Sequence, residues 1–240
     1  MNFTLSDDQQ QIRDAVLKLA SRFGDDYWLA RDSDGVFPEE FCRALADDGW
    51  IGIAVPEAYG GSGLGVTEAA LVVQAISESG AGNSGVSAVA VGFFGLNPLI
   101  EFGTDEQRRE WLPRIIRRED IACFGVTEPG TGHDTTRLKT RAERDGDNYI
   151  IHGEKVWIST AQVANKIMLI ARTTPIEQCA KPSDGLSLFY ADLDRRYVDI
   201  RVIDKMGRKC VDSGCPAARR RTPRSTSRRK RRSRRARMPS

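Results

Sequence analysis

The sequence predicts an α+β fold: an all-α helical domain over residues 1–120, followed by a small antiparallel β-barrel or sandwich domain over 121–213. Three observations predict it. Apolar residues in the first 120 positions recur at spacings of three and four, the period of one helix face. From Ile121 the pattern changes to short, β-branched apolar runs. Turn signals at Asp145-Gly146, His152-Gly153 and Ser183-Asp184-Gly185 punctuate those runs, and helices followed by strands disfavour a parallel βαβ sheet.

Each element has a local cause. Ser6-Asp7-Asp8-Gln9 has capping-box form, and Ile12, Val16, Leu19 and Phe23 then share a face, so a first amphipathic helix begins there. Pro38 suits a first helical turn, with Phe41, Ala44 and Leu45 on one side; the apolar run at 50–55 stops at Pro56 and a glycine cluster. Residues 67–79 align Leu71, Val72, Ala75 and Ile76, while 84–101, rich in small residues and poor in charge, reads as a closely packed buried helix. Thr104-Asp105-Glu106-Gln107 is a second capping box, leading to Trp111, Leu112, Ile115 and Ile116, and Pro113 is expected to shorten or kink that helix. Five or six helices are expected before residue 120. Strands are expected at 121–127, 149–151, 155–160, 166–173, 186–191 and 198–203.

With 40% apolar and 29% charged residues, the 240-residue chain can build a core, which excludes collagen-like and wholly disordered classes. The net charge of +3 conceals a split. Residues 216–240 hold twelve Lys or Arg and no acid, leaving 24 basic against 33 acidic groups in 1–215. Five cysteines at wide spacing, with no CxxC pair, fit a reducing compartment. The amino terminus lacks a basic start and an apolar core segment, and no window approaches eighteen unbroken apolar residues. No membrane span is therefore expected, and a cytoplasmic location is.

Several motifs point away from common chemistries. Gly60-Gly61-Ser62-Gly63-Leu64-Gly65 lacks the spacing of a nucleotide-binding loop and is expected to be a structural turn. There is no GxSxG or HExxH, and His133 and His152 are the only histidines, so neither a hydrolase triad nor a metal site is expected. His152, before Gly153, reads as a turn residue. More informative is Phe124-Gly125-Val126-Thr127-Glu128-Pro129-Gly130-Thr131-Gly132-His133-Asp134, where a strand enters a small-residue loop able to wrap an anionic or heteroaromatic ligand. Glu154-Lys155-Val156-Trp157-Ile158-Ser159-Thr160 then ends a second strand with a Trp beside hydroxyls. Taken singly, the loop could be an ordinary hairpin and the Trp a core residue.

Together, TEPGTGHD and KVWIST resemble the flavin loop and the following flavin strand of the acyl-CoA dehydrogenase family. LSDDQQQIRDAV, VPEAYGGSGLG, GLNPLIEFGTDEQRREWLPRI and KMGRK resemble other family segments in the same order, so the resemblance runs from residue 1 to about 213. It implies FAD-dependent α,β-dehydrogenation of an acyl-CoA thioester to the trans-2-enoyl-CoA. It also implies an electron-transfer flavoprotein as acceptor and a homo-oligomer, with oxidase or monooxygenase chemistry open on the same scaffold. By position, Phe124, Val126, Thr127, Trp157, Ile158 and Ser159 would hold the cofactor, with Thr127 at the pyrimidine edge, Trp157 on the ring face and Ser159 near N5. Gly132 would permit close approach, since a Cβ there would collide. His133 stands where the family has Ser, near cofactor and CoA. Gly95, Leu96 and Pro98 would shape the acyl tunnel. The family's catalytic glutamate belongs to a carboxyl-terminal helical bundle with no counterpart after residue 213, so no catalytic residue is assigned, and a truncated, inactive form is expected. The Arg-rich segment 214–240 is expected to be disordered and is read as the product of a frameshift. The alternative is a non-catalytic module whose basic arm binds nucleic acid or anionic surfaces through counterion release; without aromatics in 216–240, nucleic acid is disfavoured as a partner.

Overall fold

The computed structural model describes residues 4–95 and 97–218. Among them, seven α-helices precede eight strands. Helix α1 (Asp7–Ala20) opens with the predicted capping box: the Ser6 hydroxyl accepts the Gln9 N–H at 3.2 Å, and the Gln9 side-chain oxygen accepts the Ser6 N–H at 3.1 Å. It buries Val16 and Leu19. Helix α2 (Asp25–Asp34) was not expected, because Trp28 is its one buried residue; it stops at left-handed Gly35 (φ 70°). Helix α3 (Glu39–Asp47) buries Phe41, Cys42 and Leu45 completely.

The two expected central helices form a run of shorter ones, α4 (Val66–Ile76), α5 (Gly82–Ala90) and α6 (Asn97–Phe102), joined by wide turns at 77–81 and 91–95. Gly80 (φ 97°) and Gly82 (φ 51°) break the first junction, a conformation that glycine adopts without a Cβ penalty. By length and mean hydropathy, Val66–Phe102 passes for a membrane-crossing helix, although no window is unbroken. In this fold it supplies Val72, Ala75, Ile76 and Val89 to the helical core. Helix α7 (Asp105–Ile116) starts at the predicted Thr104 cap and carries Pro113 in its last turn.

The glycine cluster is a structural turn. Its N–H groups are spent internally, Ser62 on Gly52 O, Gly63 on Val55 O and Leu64 on Ile53 O, and a Cβ on Gly61 would sit 2.1 Å from Val55 O.

The strands are β1 (Ala122–Gly125), β2 (Arg141–Asp145), β3 (Asn148–His152), β4 (Ile158–Ser159), β5 (Lys166–Arg172), β6 (Leu186–Asp192), β7 (Val198–Val202) and β8 (Ser213–Ala218). One sheet orders β1-β5-β2-β3 with β6 also on β5; the other orders β4-β8-β7. The expected antiparallel pairing holds for β2/β3, β5/β6, β4/β8 and β7/β8, whereas β1 and β2 each run parallel to β5. The physical reason is connection length. A tight hairpin forces reversal, but the long excursion from 126 to 165 lets the chain return in its original direction. His152 is not the turn residue expected: it is the last residue of β3, paired with Arg141 at the open end of the hairpin whose turn lies at Gly146-Asp147.

The β domain also extends past 213, correcting the reading of everything from 214 as disordered. Gly214 to Ala218 pair with β7, and β4 reaches only Ser213 and Gly214, so Pro216 takes a place where its missing N–H leaves no ladder bond broken on the β4 side. Residues 219–240 lie outside the described residues.

Two contacts fix one domain on the other. Leu99, Leu112 and Ile115 from the helices pack with Ala122 and Met168 from the sheet. The 205–211 turn reaches back, burying Cys210 and Val211 in the helical core, while Arg208 donates to the Ser87 hydroxyl at 2.6 Å and the Lys209 N–H to Asp32 at 2.7 Å.

Candidate functional site

The site grows from the end of β1. Phe124 is half-buried, and the chain then leaves the sheet through Val126 and Thr127 into the 126–140 loop. Glu128 turns inward, with its side chain 4% exposed, and its carboxylate gathers three donors: Lys155 Nζ at 2.8 Å and the Thr140 N–H at 2.9 Å on Oε1, and the Lys139 N–H on Oε2. Burial works against the Glu128 carboxylate, yet these donors outweigh it and hold its pKa below the usual range. Lys155, 3% exposed, has its pKa lowered by burial, with Glu128 opposing; its Nζ also donates to Val126 O at 3.0 Å. The loop tip turns at Pro129-Gly130 (φ 88°), and the Thr131 N–H closes on Glu128 O at 3.2 Å.

The Val156 N–H donates to Thr127 O at 2.9 Å, which sets the second segment beside the first. The expected strand over 155–160 shrinks to β4, because Trp157 (φ 62°) and Thr160 (φ 64°) both take left-handed backbone and terminate pairing on either side. The first of these turns throws the indole outward. Trp157 is 59% exposed, so it is not the core residue its type suggests. Ile158 is buried, and Ser159 pairs with Ser213. After Thr160, Arg195 binds the carbonyls of Ala161, Gln162 and Ala164, fastening the turn that follows.

The predicted residues therefore fall into two groups. Val126, Thr127, Trp157, Ile158 and Ser159 are brought together by the Thr127–Val156 bond. Gly95 joins them from the helical domain, since a Cβ built on it would lie 3.9 Å from Phe124 Cβ. Pro98 follows, half-buried, at the start of α6; Leu96 lies outside the described residues. Gly132 and His133 stand apart on the exposed far limb of the loop. A Cβ on Gly132 meets no protein atom within 4 Å, so the expected collision does not come from this chain. His133 is exposed and its carbonyl accepts the Thr135 N–H at 3.1 Å. Lys155, which anchors the loop residue Glu128, and Arg195, which fastens the turn after Thr160, were missed as site-building residues. The available signal was Lys155 itself, a charge within an apolar strand pattern whose burial demands a partner.

An outward indole, flanked by Thr127 and Ser159 hydroxyls that make no hydrogen bond to another described residue, suits a flat ligand with polar edges. A groove of about 630 Å³ lies away from these residues, between Arg137, Lys139 and Pro182. Among the described residues no cluster of His, Cys, Asp and Glu could hold a metal.

A helical domain packed on a mixed β domain defines an α+β fold. Its relatives are specific. The N-terminal domain model of acyl-CoA dehydrogenase matches residues 6–119 and the middle-domain model matches 123–216. The chain is 34% identical over 191 residues to the probable acyl-CoA dehydrogenase YngJ of Bacillus subtilis, covering 80% of this chain and 48% of that protein. It is 32% identical over 169 residues to the mitochondrial isobutyryl-CoA dehydrogenase of Dictyostelium discoideum, covering 70% and 40%. Butyryl-CoA dehydrogenase from Megasphaera elsdenii superposes with a TM-score of 0.80 at 26% identity, over 91% of this chain and 57% of that one. The chain belongs to the acyl-CoA dehydrogenase family. It spans about half the length of the curated relatives it matches.

Proposed function

We propose that this chain forms the flavin-holding part of an FAD-dependent dehydrogenase that converts an acyl-CoA thioester to its trans-2-enoyl-CoA. FAD is the cofactor of the family. When bound, it would take the substrate's β-hydrogen as hydride while the α-proton leaves to a base. The observation that carries the reading is the pairing of Thr127 with Val156, which sets an outward Trp157 and two free hydroxyls along one edge. Trp157 would cover a ring face and exclude water from it, and the Thr127 and Ser159 hydroxyls would fix the ring's orientation by hydrogen bonds to its polar edge. Phe124 and Gly95 would bound the same space from the side of the helical domain. No residue in 4–218 is assigned as the base: Glu128 has its carboxylate committed to three donors.

The acyl-CoA substrate, an electron-transfer flavoprotein as acceptor, homo-oligomeric assembly and a cytoplasmic location belong to this proposal. FAD titration of the 240-residue chain tests it. Saturable quenching of tryptophan fluorescence that is lost in Trp157→Ala is expected; no saturation in the parent chain would overturn the reading.

A further inference from the structure

The Glu128–Lys155 pair ties together three stretches of chain that sequence separates. Lys155 Nζ reaches Val126 O at 3.0 Å and Glu128 Oε1 at 2.8 Å, so it holds the start of the loop. Glu128 in turn receives the Lys139 and Thr140 N–H groups, so it holds the end. The next residue after Lys155 donates to Thr127 O, and the one after that is the outward Trp157. Of the β-domain residues proposed to touch the flavin ring, Val126, Thr127 and Trp157 thus lie within two residues of one end of this clamp, with Ile158, Ser159 and Phe124 a little further along the chain.

Apolar packing cannot do this work. Gly130, Gly132 and His133 are exposed, and the loop contributes Leu138 alone as a buried apolar side chain. A buried ion pair is a poor source of stability compared with apolar packing, because desolvation offsets its attraction; it is, however, direction-specific. Here its bonds run to backbone atoms at both loop ends, the arrangement needed to fix a backbone path.

We propose that Glu128 and Lys155 are positioning residues that set the 126–140 loop in its cofactor-competent path before the cofactor arrives. They touch neither ring nor substrate. They act by removing the ordering cost that binding would otherwise meet, so their loss should appear in affinity and in loop dynamics together. This rests on the flavin reading above.

The test uses the full 240-residue chain with Glu128→Gln, Lys155→Met and the double variant, FAD affinity by fluorescence titration, and hydrogen exchange of the cofactor-free proteins. Each single variant is expected to weaken FAD binding about tenfold or more, with the double no worse than the more damaging single, as partners in one unit behave. Exchange should accelerate at 126–133 and 139–140 while β5 and β6 keep their protection. Unchanged affinity within twofold, or acceleration spread evenly through both sheets, would overturn the inference. If Lys155→Met does not fold, Glu128→Gln, which keeps the side-chain shape, decides by the same thresholds. Failure of the parent chain to bind FAD would instead overturn the proposed function, so the two failures are distinct.

Discussion

The helical domain and the 126–160 region solve the same problem, holding chain segments in place, with opposite materials. Between α1, α3, α4 and α5 the contacts are apolar: Phe41, Leu45, Val72 and Ile76 are fully buried, and ion pairs such as Arg13–Glu78 stay at the surface. Around the candidate site the deepest contact is an ion pair, and two non-glycine residues hold left-handed backbone. The difference teaches what each region is for. Apolar packing is non-directional and tolerant of small shifts, which suits a scaffold; charge-assisted bonds to backbone fix atoms, which suits a loop with the ligand role proposed above.

The largest expected effect breaks the scaffold. Phe41→Ala removes a ring packed edge-on against Phe23 and Trp28, with centroids at 5.4 and 5.0 Å, and should cost about 3–5 kcal/mol in urea unfolding. A loss below about 1 kcal/mol would mean that the aromatic cluster collapses onto the vacancy. Acid should act on the other region first. Glu128 has its folded pKa depressed, so its contribution is present above the ordinary carboxylate pKa of about 4.3 and is lost as pH falls through the lower folded value. Below about pH 4, exchange at 126–140 should rise before the helical core opens; simultaneous loss would show that the two regions unfold as one.

Alkali acts instead on the apolar cores, Cys42 in the helical one and Cys123 in the sheet. Burial pushes the Cys42 and Cys123 thiols up to about 12. A raised folded pKa means that stability is full below the unfolded value of about 8.5 and declines as pH climbs toward 12. Of Cys42, Cys123, Cys179 and Cys210, half-buried Cys179 should therefore react with thiol reagents first at pH 8, with Cys42 and Cys123 modified only on unfolding. Peptide mapping that finds Cys42 or Cys123 labelled as fast as Cys179 would refute this ordering.

The same contrast explains what could be read from the sequence. Helices α1 and α7 were legible because capping boxes and apolar spacing are local signals, and the switch of period near 121 marked the second domain. Helix α2 was not, since a single buried Trp28 leaves no stripe to read. The breaks at 77–81 and 91–95 and the parallel β1/β5 pairing depend on distant neighbours. At the site, the resemblance singled out Thr127, Trp157 and Ser159, which the Thr127–Val156 bond brings near one another. The partner of Glu128 escaped, because Glu128 and Lys155 are paired across twenty-seven positions by tertiary structure. The shrinkage of β4 escaped for a related reason: Trp157 and Thr160 are strand-forming types, and only their surroundings force them to positive φ.

A smaller effect separates strain from function within that segment. Trp157→Gly relieves a left-handed conformation that costs a bulky residue roughly 1–3 kcal/mol, against glycine's entropic penalty of about 0.5–1 kcal/mol. The cofactor-free chain should therefore gain about 1 kcal/mol in stability while FAD binding weakens. A loss of stability would show that the exposed indole is held by packing after all.

The smallest expected stability change divides, within the 126–160 region, what the fold needs from what a ligand would need. A Cβ on Gly153 would sit 2.2 Å from Thr140 Oγ1, so that glycine is required by the protein itself. Gly132 is different: its Cβ would meet nothing within 4 Å, and it lies on an exposed limb of the loop. Gly132→Ala should leave the unfolding free energy within about 0.5 kcal/mol. If FAD affinity nevertheless falls, the space beside Gly132 is needed by the ligand and not by the fold. Parent-like affinity would remove Gly132 from the site and confine cofactor contact to the edge formed by Thr127, Trp157 and Ser159.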